Sequence, residues 1–392
     1  MAFLRNTAVN LLNLHYAVHA LASGTGGVFF GVFLLRAGVS APGVLVALTA
    51  ILAGRFLLRP LILPLGIRCG LRPLVIAGAL LMAAQYPLLA HVQGVDGMLY
   101  ALCIVSAIGD VFYWTCYHAY FAALGDDEHR GHQISVREAA AAIIGIVAPL
   151  LGGWALTTLG PATAFGIVAV VQLFSALPLF GTPKVAIAPR ADGALRAALG
   201  GIALFAADGW LSAGLVMIWQ IALFNTLSDS FTAYGGAMAL AALVGAISGL
   251  LLGRAIDAGA GPRAAILASA AVALTVLLRA FSVGHPALAL VANTLGAVAM
   301  LLYAPTFMTP LYRLAKQSSC TLRFHIATEG AYDVGAGASM LVAALILHFG
   351  GWQLGGAQLR DAMTLALLFP LAGVAVVYWL LRRYYAAAQR AH

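Results

Sequence analysis

Acidic residues recur at a fixed offset in segments that are strongly apolar. Glu138 and Glu329 lie 191 positions apart (329 − 138 = 191). The same offset relates two further pairs: Gly70 with Gly261, and Arg72 with Arg263. A charge inside a bilayer costs about 2.5–3.5 kcal/mol on insertion scales, so such residues are usually functional. The pattern predicts a duplicated membrane protein with a carboxylate at the matching place in each half, and solute transport is the leading interpretation.

Proton coupling requires a group whose protonation differs between two conformations. Candidates for this role are the acidic residues of the predicted membrane helices: Glu138, Glu329, Asp110, Asp208 and Asp333. Burial would move the pKa of such groups toward the physiological range.

Two arginines are the most informative cations. Arg55 in the second predicted span and Asp110 in the fourth fall near the midpoints of their helices, where they would pair. Arg59 lies one turn further along and on the same face as Arg55, because residues four apart are neighbours on a helix. A substrate anion or a protein carboxylate must compensate both arginines.

Two histidines and several aromatic residues are candidates for the walls of a substrate cavity. His15 and His19 form an i, i+4 pair on the first span, and Trp114 and Tyr332 are aromatic candidates on later spans. Two histidines do not complete a metal site, and the acidic stretch from Asp126 to His132 is typical of a solvated loop. Proton transfer or hydrogen bonding to substrate is therefore favoured over metal binding, and no metal or cofactor is predicted.

Composition sets the class of protein. Of the 392 residues 62% are hydrophobic and 9% are charged, against roughly 25% charged in a soluble domain. Enzymatic function is not indicated, since there is no Walker loop, no G-x-S-x-G and no HExxH, and no soluble domain large enough to hold a nucleotide. The net charge of +8 does not indicate nucleic-acid binding, because the basic residues are distributed among alternate loops.

Apolar windows bounded by Gly, Pro and charge predict an all-α integral membrane protein with about twelve transmembrane helices in two pseudo-symmetric six-helix bundles. The predicted spans are 10–35, 43–66, 73–92, 97–124, 134–158, 161–181, 201–225, 233–253, 263–284, 286–311, 324–349 and 358–381. The polar stretch 182–199 is the one long connector. We therefore expect an N-terminal bundle over 1–181, a linker over 182–199, and a C-terminal bundle with a short tail over 200–392.

Basic residues indicate the orientation. Alternate loops hold most of the arginines and lysines, and the other side has only Arg36 and Arg360 near it. The positive-inside rule then predicts that both termini and the linker are cytoplasmic, in a plasma membrane of the bacterial inner-membrane type.

Loop motifs resemble those of the major facilitator superfamily. The run Gly253-Arg254-Ala255-Ile256-Asp257-Ala258-Gly259-Ala260-Gly261-Pro262-Arg263 is similar to the acidic-then-basic loop that follows the second helix of each half in that superfamily. The equivalent loop of the first half keeps Gly70 and Arg72. It has Gly66 at the position that corresponds to Asp257, so it lacks the acidic residue. The resemblance implies that Gly66, Arg72, Asp257 and Arg263 belong to a gating motif.

A second run resembles the antiporter branch of that superfamily. Ala148-Pro149-Leu150-Leu151-Gly152-Gly153 is similar to its glycine-proline-x-x-glycine-glycine signature, with Ala148 in place of the first glycine. Pro149 would bend the helix, and Gly152 and Gly153 would let a second helix approach closely. Ordinary packing of small residues remains the alternative.

The resemblance implies two six-helix bundles that rock about a midplane site. In that arrangement the second and eleventh spans face each other, so a contact of Arg55 and Arg59 with Asp333 and Glu329 would latch one access state. A static pair of Arg55 with Asp110 inside one bundle is the alternative, and the sequence leaves both open.

The functional prediction is a secondary transporter of a small organic solute, proton-coupled and directed outward, working as a monomer in contact with membrane lipid. The alternatives are a passive facilitator or lipid flippase of the same fold, and a non-transporting scaffold or sensor. The arginines would suit an organic anion and the surplus of carboxylates a cation, so the sequence leaves the substrate undecided.

Overall fold

Twelve membrane-length helices make up most of the chain. The computed structural model describes residues 6–124, 130–257, 261–351 and 356–390, and within these ranges only the backbone is described for 130–135, 195, 197, 252–257, 316–317, 356 and 387–390. No strand occurs in the described ranges, and twelve helices there are long and apolar enough to cross a membrane. The predicted all-α class with twelve spans is confirmed.

The helices of the first half are named α1 to α6. They are, in order, Thr7–Arg36, Ala41–Cys69, Leu71–Ala90, Gly97–Leu124, Arg130–Thr158 and Pro161–Gly181. Asn6 begins α1, where its side chain accepts a hydrogen bond from the Val9 amide at 3.1 Å, and Ser40 caps α2 in the same way. Such caps satisfy amides that have no partner inside the helix.

The helices of the second half are named α7 to α12. They are Ala198–Thr226, Phe231–Asp257, Pro262–Phe281, Pro286–Gln317, Thr321–Phe349 and Ala357–Ala386. The helix that contains α7 begins at Ala194, so the non-helical stretch between the halves is 182–193. Most boundaries agree with the predicted spans to within a few residues.

Helix bounds repeat at the offset seen in the sequence. The helix Leu71–Ala90 (α3) corresponds to Pro262–Phe281 (α9), and Arg130–Thr158 (α5) corresponds to Thr321–Phe349 (α11). In both cases each end is displaced by 191 positions (262 − 71, 281 − 90, 321 − 130 and 349 − 158). Glu138 and Glu329 therefore occupy the same position in two equivalent helices.

The stretch 182–193 lies along one end of the molecule, which we call the linker face. The Val185 carbonyl accepts from the Leu71 amide at 2.9 Å, which ties the stretch to the start of α3. Arg323 donates to the Pro189 carbonyl at 2.6 Å and Ser319 to the Asp192 carbonyl at 2.8 Å, at the start of α11. The connector therefore bonds to helices of both halves.

Aromatic side chains close the opposite end, which we call the far face. The Phe29 ring of α1 meets the Tyr234 ring of α8 edge-on at 5.5 Å, and Phe33 stacks on Phe231 at 6.3 Å. The Tyr234 hydroxyl donates to the Val28 carbonyl at 3.3 Å. Rings and a hydrogen bond thus join the halves at this face.

Candidate functional site

Five charged side chains converge between the halves, and we call them the charge cluster: Arg55 and Arg59 of α2, Asp110 of α4, and Glu329 and Asp333 of α11. At about 1.5 Å per residue, Glu329 lies about 12 Å from the linker-face end of α11, and Arg59 about 15 Å from that end of α2. The cluster therefore lies inside the membrane-spanning region, on the linker-face side of its middle.

Each arginine pairs with two carboxylates of the cluster. Arg55 Nη1 lies 3.4 Å from Asp110 Oδ2, and its Nη2 lies 3.0 Å from Asp333 Oδ1. Arg59 donates through Nη1 to Glu329 Oε2 at 2.5 Å and through Nη2 to Asp333 Oδ2. The structure thus contains both contacts that the sequence left open, the pair within the first half and the pairs that cross between halves.

Thr115 of α4 extends the cluster. Its hydroxyl accepts from Arg59 Nη1 at 2.6 Å and donates to Glu329 Oε2 at 3.2 Å. A third helix therefore orients the buried pair. Such additional hydrogen bonds are what allow charges to be held away from water.

Local sequence explains how these side chains meet. Pro60 has no N–H and interrupts the α-helical bonding of α2, which tightens to a 3₁₀ turn at Arg59–Leu61. A Cβ at Gly54 would lie 2.8 Å from that of Ala107, so α2 and α4 approach closely beside Arg55. A Cβ at Gly330 of α11 would be in ordinary van der Waals contact with the Arg59 stem, 3.8 Å from its Cδ.

The cluster is not electrically balanced. It contains two guanidinium groups and three carboxylates, a surplus of one negative charge when all are ionised. Asp333 is fully buried and Arg59 is 2% exposed, whereas the Asp110 side chain is 21% exposed and has the longest of the four contacts. Asp110 is therefore the carboxylate with the weakest compensation.

Two histidines flank the cluster toward the linker face. His325 lies one turn before Glu329, with its Nδ1 3.7 Å from Glu329 Oε1. Its ring stacks on that of His118 from α4 at 5.8 Å, which adds another contact between the halves. The sequence reasoning did not single out His325 or Thr115, although the i, i+4 spacing of His325 and Glu329 is a readable signal.

His15 and His19 are satisfied within the first half. His15 is hydrogen-bonded through Nδ1 to the Ser175 carbonyl at 2.6 Å and through Nε2 to the Tyr113 hydroxyl at 2.9 Å. His19 meets the Gln172 side-chain oxygen at 3.1 Å. Both are buried, so these partners already use the polar atoms that were predicted to meet substrate.

Trp114 and Tyr332 are half-buried on either side of the central region. Trp114 follows Asp110 by one turn on α4 and meets the His19 ring edge-on at 5.5 Å. Tyr332 is next to Asp333 on α11, and its carbonyl packs against Gly209 of α7. Both residues remain candidates for the wall of the transport path.

Glu138 is not brought to the cluster. Its side chain is 56% exposed, and its Oε1 accepts from Nη2 of the adjacent Arg137 at 2.6 Å. The Arg137 guanidinium lies 5.0 Å from the Tyr16 ring centre and 4.8 Å from that of Phe121. The two glutamates related by the repeat therefore have different environments.

The gating-motif residues lie at the linker face. The Arg72 guanidinium donates to the Thr182 carbonyl at 2.7 Å and has no acidic partner among the described residues. Gly66 is buried, and a Cβ there would contact the Leu322 side chain at 3.5 Å. Arg263 is exposed. The side chain of Asp257 and the stretch from Asp126 to His129 lie outside the described residues.

Residues of the antiporter-like run lie where the two halves meet near the far face. A Cβ at Gly152 would collide with the Thr25 carbonyl of α1, and one at Gly153 would lie 2.6 Å from the Phe231 carbonyl at the start of α8. A Cβ at Gly235 of α8 would collide with the Pro149 carbonyl. Absent side chains thus permit backbone contact between α5 and its neighbours.

Comparison with known proteins agrees with this architecture. A search of curated proteins found no match. A family model described as Major Facilitator Superfamily matches residues 12–315, which is most of the chain and includes Arg55, Arg59 and Asp110. This match, with the twelve membrane-length helices, shows that the chain is a multi-pass membrane transporter that belongs to the Major Facilitator Superfamily.

Proposed function

We propose that the protein is a proton-coupled secondary transporter of a small organic solute, which works by alternating access and exports its substrate. The observation that carries the proposal is the charge cluster, which joins the halves and contains one more carboxylate than guanidinium. A passive facilitator needs no such group.

The proton coupling follows from the distribution of the charges. If α2 and α11 separate, Arg55 and Arg59 remain with Asp110, while Glu329 and Asp333 lose both guanidinium groups. Two carboxylates one turn apart in a membrane interior, without a cation, favour protonation. The separated state therefore binds more protons than the joined state, and linkage requires that acid favour separation.

The proposal also specifies the direction of transport, the orientation of the protein in the membrane and its domain organisation. The antiporter-like run around Pro149, packed against α8, supports export. The basic loops support placing the linker face on the cytoplasmic side of a bacterial inner membrane. We retain the division into bundles 1–181 and 200–392 with linker 182–199, and a monomeric carrier that binds solute and protons within membrane lipid.

Native cysteines allow a test without a known substrate. Cys69 ends α2 and Cys320 precedes α11, both at the linker face, and only Cys103 and Cys116 must be replaced by Ala to make them the sole labelling sites. The protein is placed in lipid nanodiscs with spin labels on Cys69 and Cys320. The distance between the two labels is measured by pulsed electron paramagnetic resonance. We expect longer distances at pH 5 than at pH 8.

The matched control is the double variant Glu329→Gln, Asp333→Asn in the same background, whose distance distribution should no longer respond to pH. A second label pair at the far face, Thr157→Cys with Thr232→Cys, should stay close at both pH values, which excludes general unfolding in acid. A wild-type distribution that does not change with pH would contradict proton coupling and favour the passive facilitator.

A further inference from the structure

A half-buried carboxylate lies outside the charge cluster. Asp208 lies in α7, about 15 Å from the linker-face end of that span. Its Oδ1 accepts from the Tyr303 hydroxyl of α10 at 2.6 Å, and Ser212 lies one turn further along α7. Both of these side chains are neutral. Among the described residues, no arginine, lysine or histidine forms an ion pair with Asp208.

Aromatic rings lie next to the tyrosine that bonds this carboxylate. Tyr303 stacks on Phe307 at 5.5 Å, and Phe307 meets Phe205 edge-on at 5.8 Å. Tyr332 is half-buried on α11, and its carbonyl packs against Gly209, the neighbour of Asp208 on α7. A carboxylate with aromatic neighbours suits an organic cation, because the acid supplies the countercharge and the π faces attract the same charge.

Arg279, a buried arginine of the second half, has other partners. Five residues after Asp208 the backbone widens into a π-helix, Ala213–Ile218. Arg279 of α9 donates to the Leu215 carbonyl inside that segment at 2.5 Å, and its guanidinium lies 4.9 Å from the Trp219 ring centre. Arg279 thus stabilises an irregular backbone, of a kind frequent at functional sites.

Charge balance decides which class of ligand the interior accepts. While α2 and α11 are joined, the carboxylates of Asp110, Glu329 and Asp333 occupy both Arg55 and Arg59, so an anionic substrate finds no free guanidinium in that state. When it is ionised, Asp208 adds a further uncompensated negative charge. A cationic ligand lowers the cost of that charge, whereas an anion raises it.

We propose that Asp208, with Tyr303 and Tyr332, forms the binding site for the cationic group of an apolar organic cation, the substrate class of this transporter. The inference rests on the proposed transport function, which leaves the substrate's charge undecided. Tyr303 is a positioning residue, because its hydroxyl orients the carboxylate.

Two ions of the same shape and opposite charge provide the test. Tetraphenylphosphonium and tetraphenylborate carry the same four rings, so their difference in binding isolates the sign of the charge. Binding to purified full-length protein is measured by calorimetry with a detergent blank. We expect the wild type to bind the phosphonium and not the borate, and Asp208→Asn to weaken phosphonium binding at least tenfold.

The matched control is Asp361→Asn, which removes the same charge from an exposed position of α12 in the same half and should leave the affinity unchanged. Tyr303→Phe should weaken binding less than Asp208→Asn, because the carboxylate remains. Unaltered phosphonium affinity in Asp208→Asn, absence of phosphonium binding by the wild type, or equal binding of the borate would each overturn the proposal.

The two proposals fail separately. The pH response of the Cys69–Cys320 distance involves the charge cluster and no organic ligand, whereas phosphonium binding is measured at one pH. A pH response without Asp208-dependent binding rejects this inference alone. Asp208-dependent binding without a pH response rejects the proton coupling alone.

Discussion

Two interfaces join the halves, and they use opposite chemistry. Helices α2 and α11 meet through buried charge, with Arg59 held by Glu329 and Asp333. Helices α5 and α8 meet through backbone contact, where Gly153 and Gly235 have no side chain to separate them. Protonation can weaken the first contact, whereas the second has no titratable group in these close approaches.

The two interfaces occupy equivalent places in the duplicated halves, so they can be compared residue by residue. Shifted by 191 positions, Arg55 and Arg59 correspond to Ala246 and Leu250 of α8, and Asp333 corresponds to Ala142 of α5. Leu250 is 87% exposed. Glu138 retains the acid of Glu329 but has only its neighbour Arg137 as an ion-pair partner among the described residues. Of the two equivalent interfaces, one is thus charged and the other apolar.

The largest expected effect is that of Arg59→Gln. The change leaves two buried carboxylates without their shared guanidinium, and breaking a buried pair in this way costs about 3–5 kcal/mol. We expect a strongly lowered melting temperature in detergent and loss of the monodisperse peak in gel filtration.

Arg55→Gln is the matched control for that prediction. It removes the same group one turn away, but Asp333 keeps Arg59 and Asp110 is partly exposed, so the loss should be clearly smaller. Adding Glu329→Gln and Asp333→Asn to Arg59→Gln should recover much of the stability, because no buried charge is then left unpaired. Equal losses for Arg59→Gln and Arg55→Gln would show that the cluster is not organised around Arg59.

An intermediate effect is expected at the apolar interface. Gly235→Ala places a methyl group against the Pro149 carbonyl, and such overpacking costs about 1–3 kcal/mol. Gly236→Ala, the next position of the same helix, has open space around its Cβ and should be neutral. Melting temperatures of both variants, measured in parallel, test the steric account, and indistinguishable values would reject it.

The smallest effect is expected from a hydrogen bond that joins α5 and α8 side chains at the far face. Thr232→Val removes the partner of the Thr157 hydroxyl, 3.0 Å away and exposed. Thr157 also donates to the Gly153 carbonyl at 2.7 Å, so it keeps a partner. We expect a loss of at most about 1 kcal/mol, and a loss comparable with that of Gly235→Ala would mean that polar contact matters more at this interface than backbone approach.

The sequence predicted the helices well because each apolar segment had to satisfy its own backbone hydrogen bonds within the membrane. The 191-residue offset likewise predicted equivalent helices, and the ends of α3, α9, α5 and α11 reproduce it. Spacing also placed Arg55 with Arg59, and Glu329 with Asp333, on shared faces. These are local properties of a helix, so they can be predicted from the sequence alone.

Which side chains pair between helices could not be read from the local sequence. The offset made Glu138 and Glu329 equal candidates, yet of the two only Glu329 pairs with an arginine of another helix among the described residues, because such pairing depends on which residue lies opposite. His15 and His19 resembled ligands by spacing, but Ser175 and Tyr113 from distant parts of the chain satisfy His15. The sequence by itself determined the membrane class, the twelve helices and the repeat, whereas tertiary packing alone decided which buried charges are compensated and left Asp208 without a cation among the described residues.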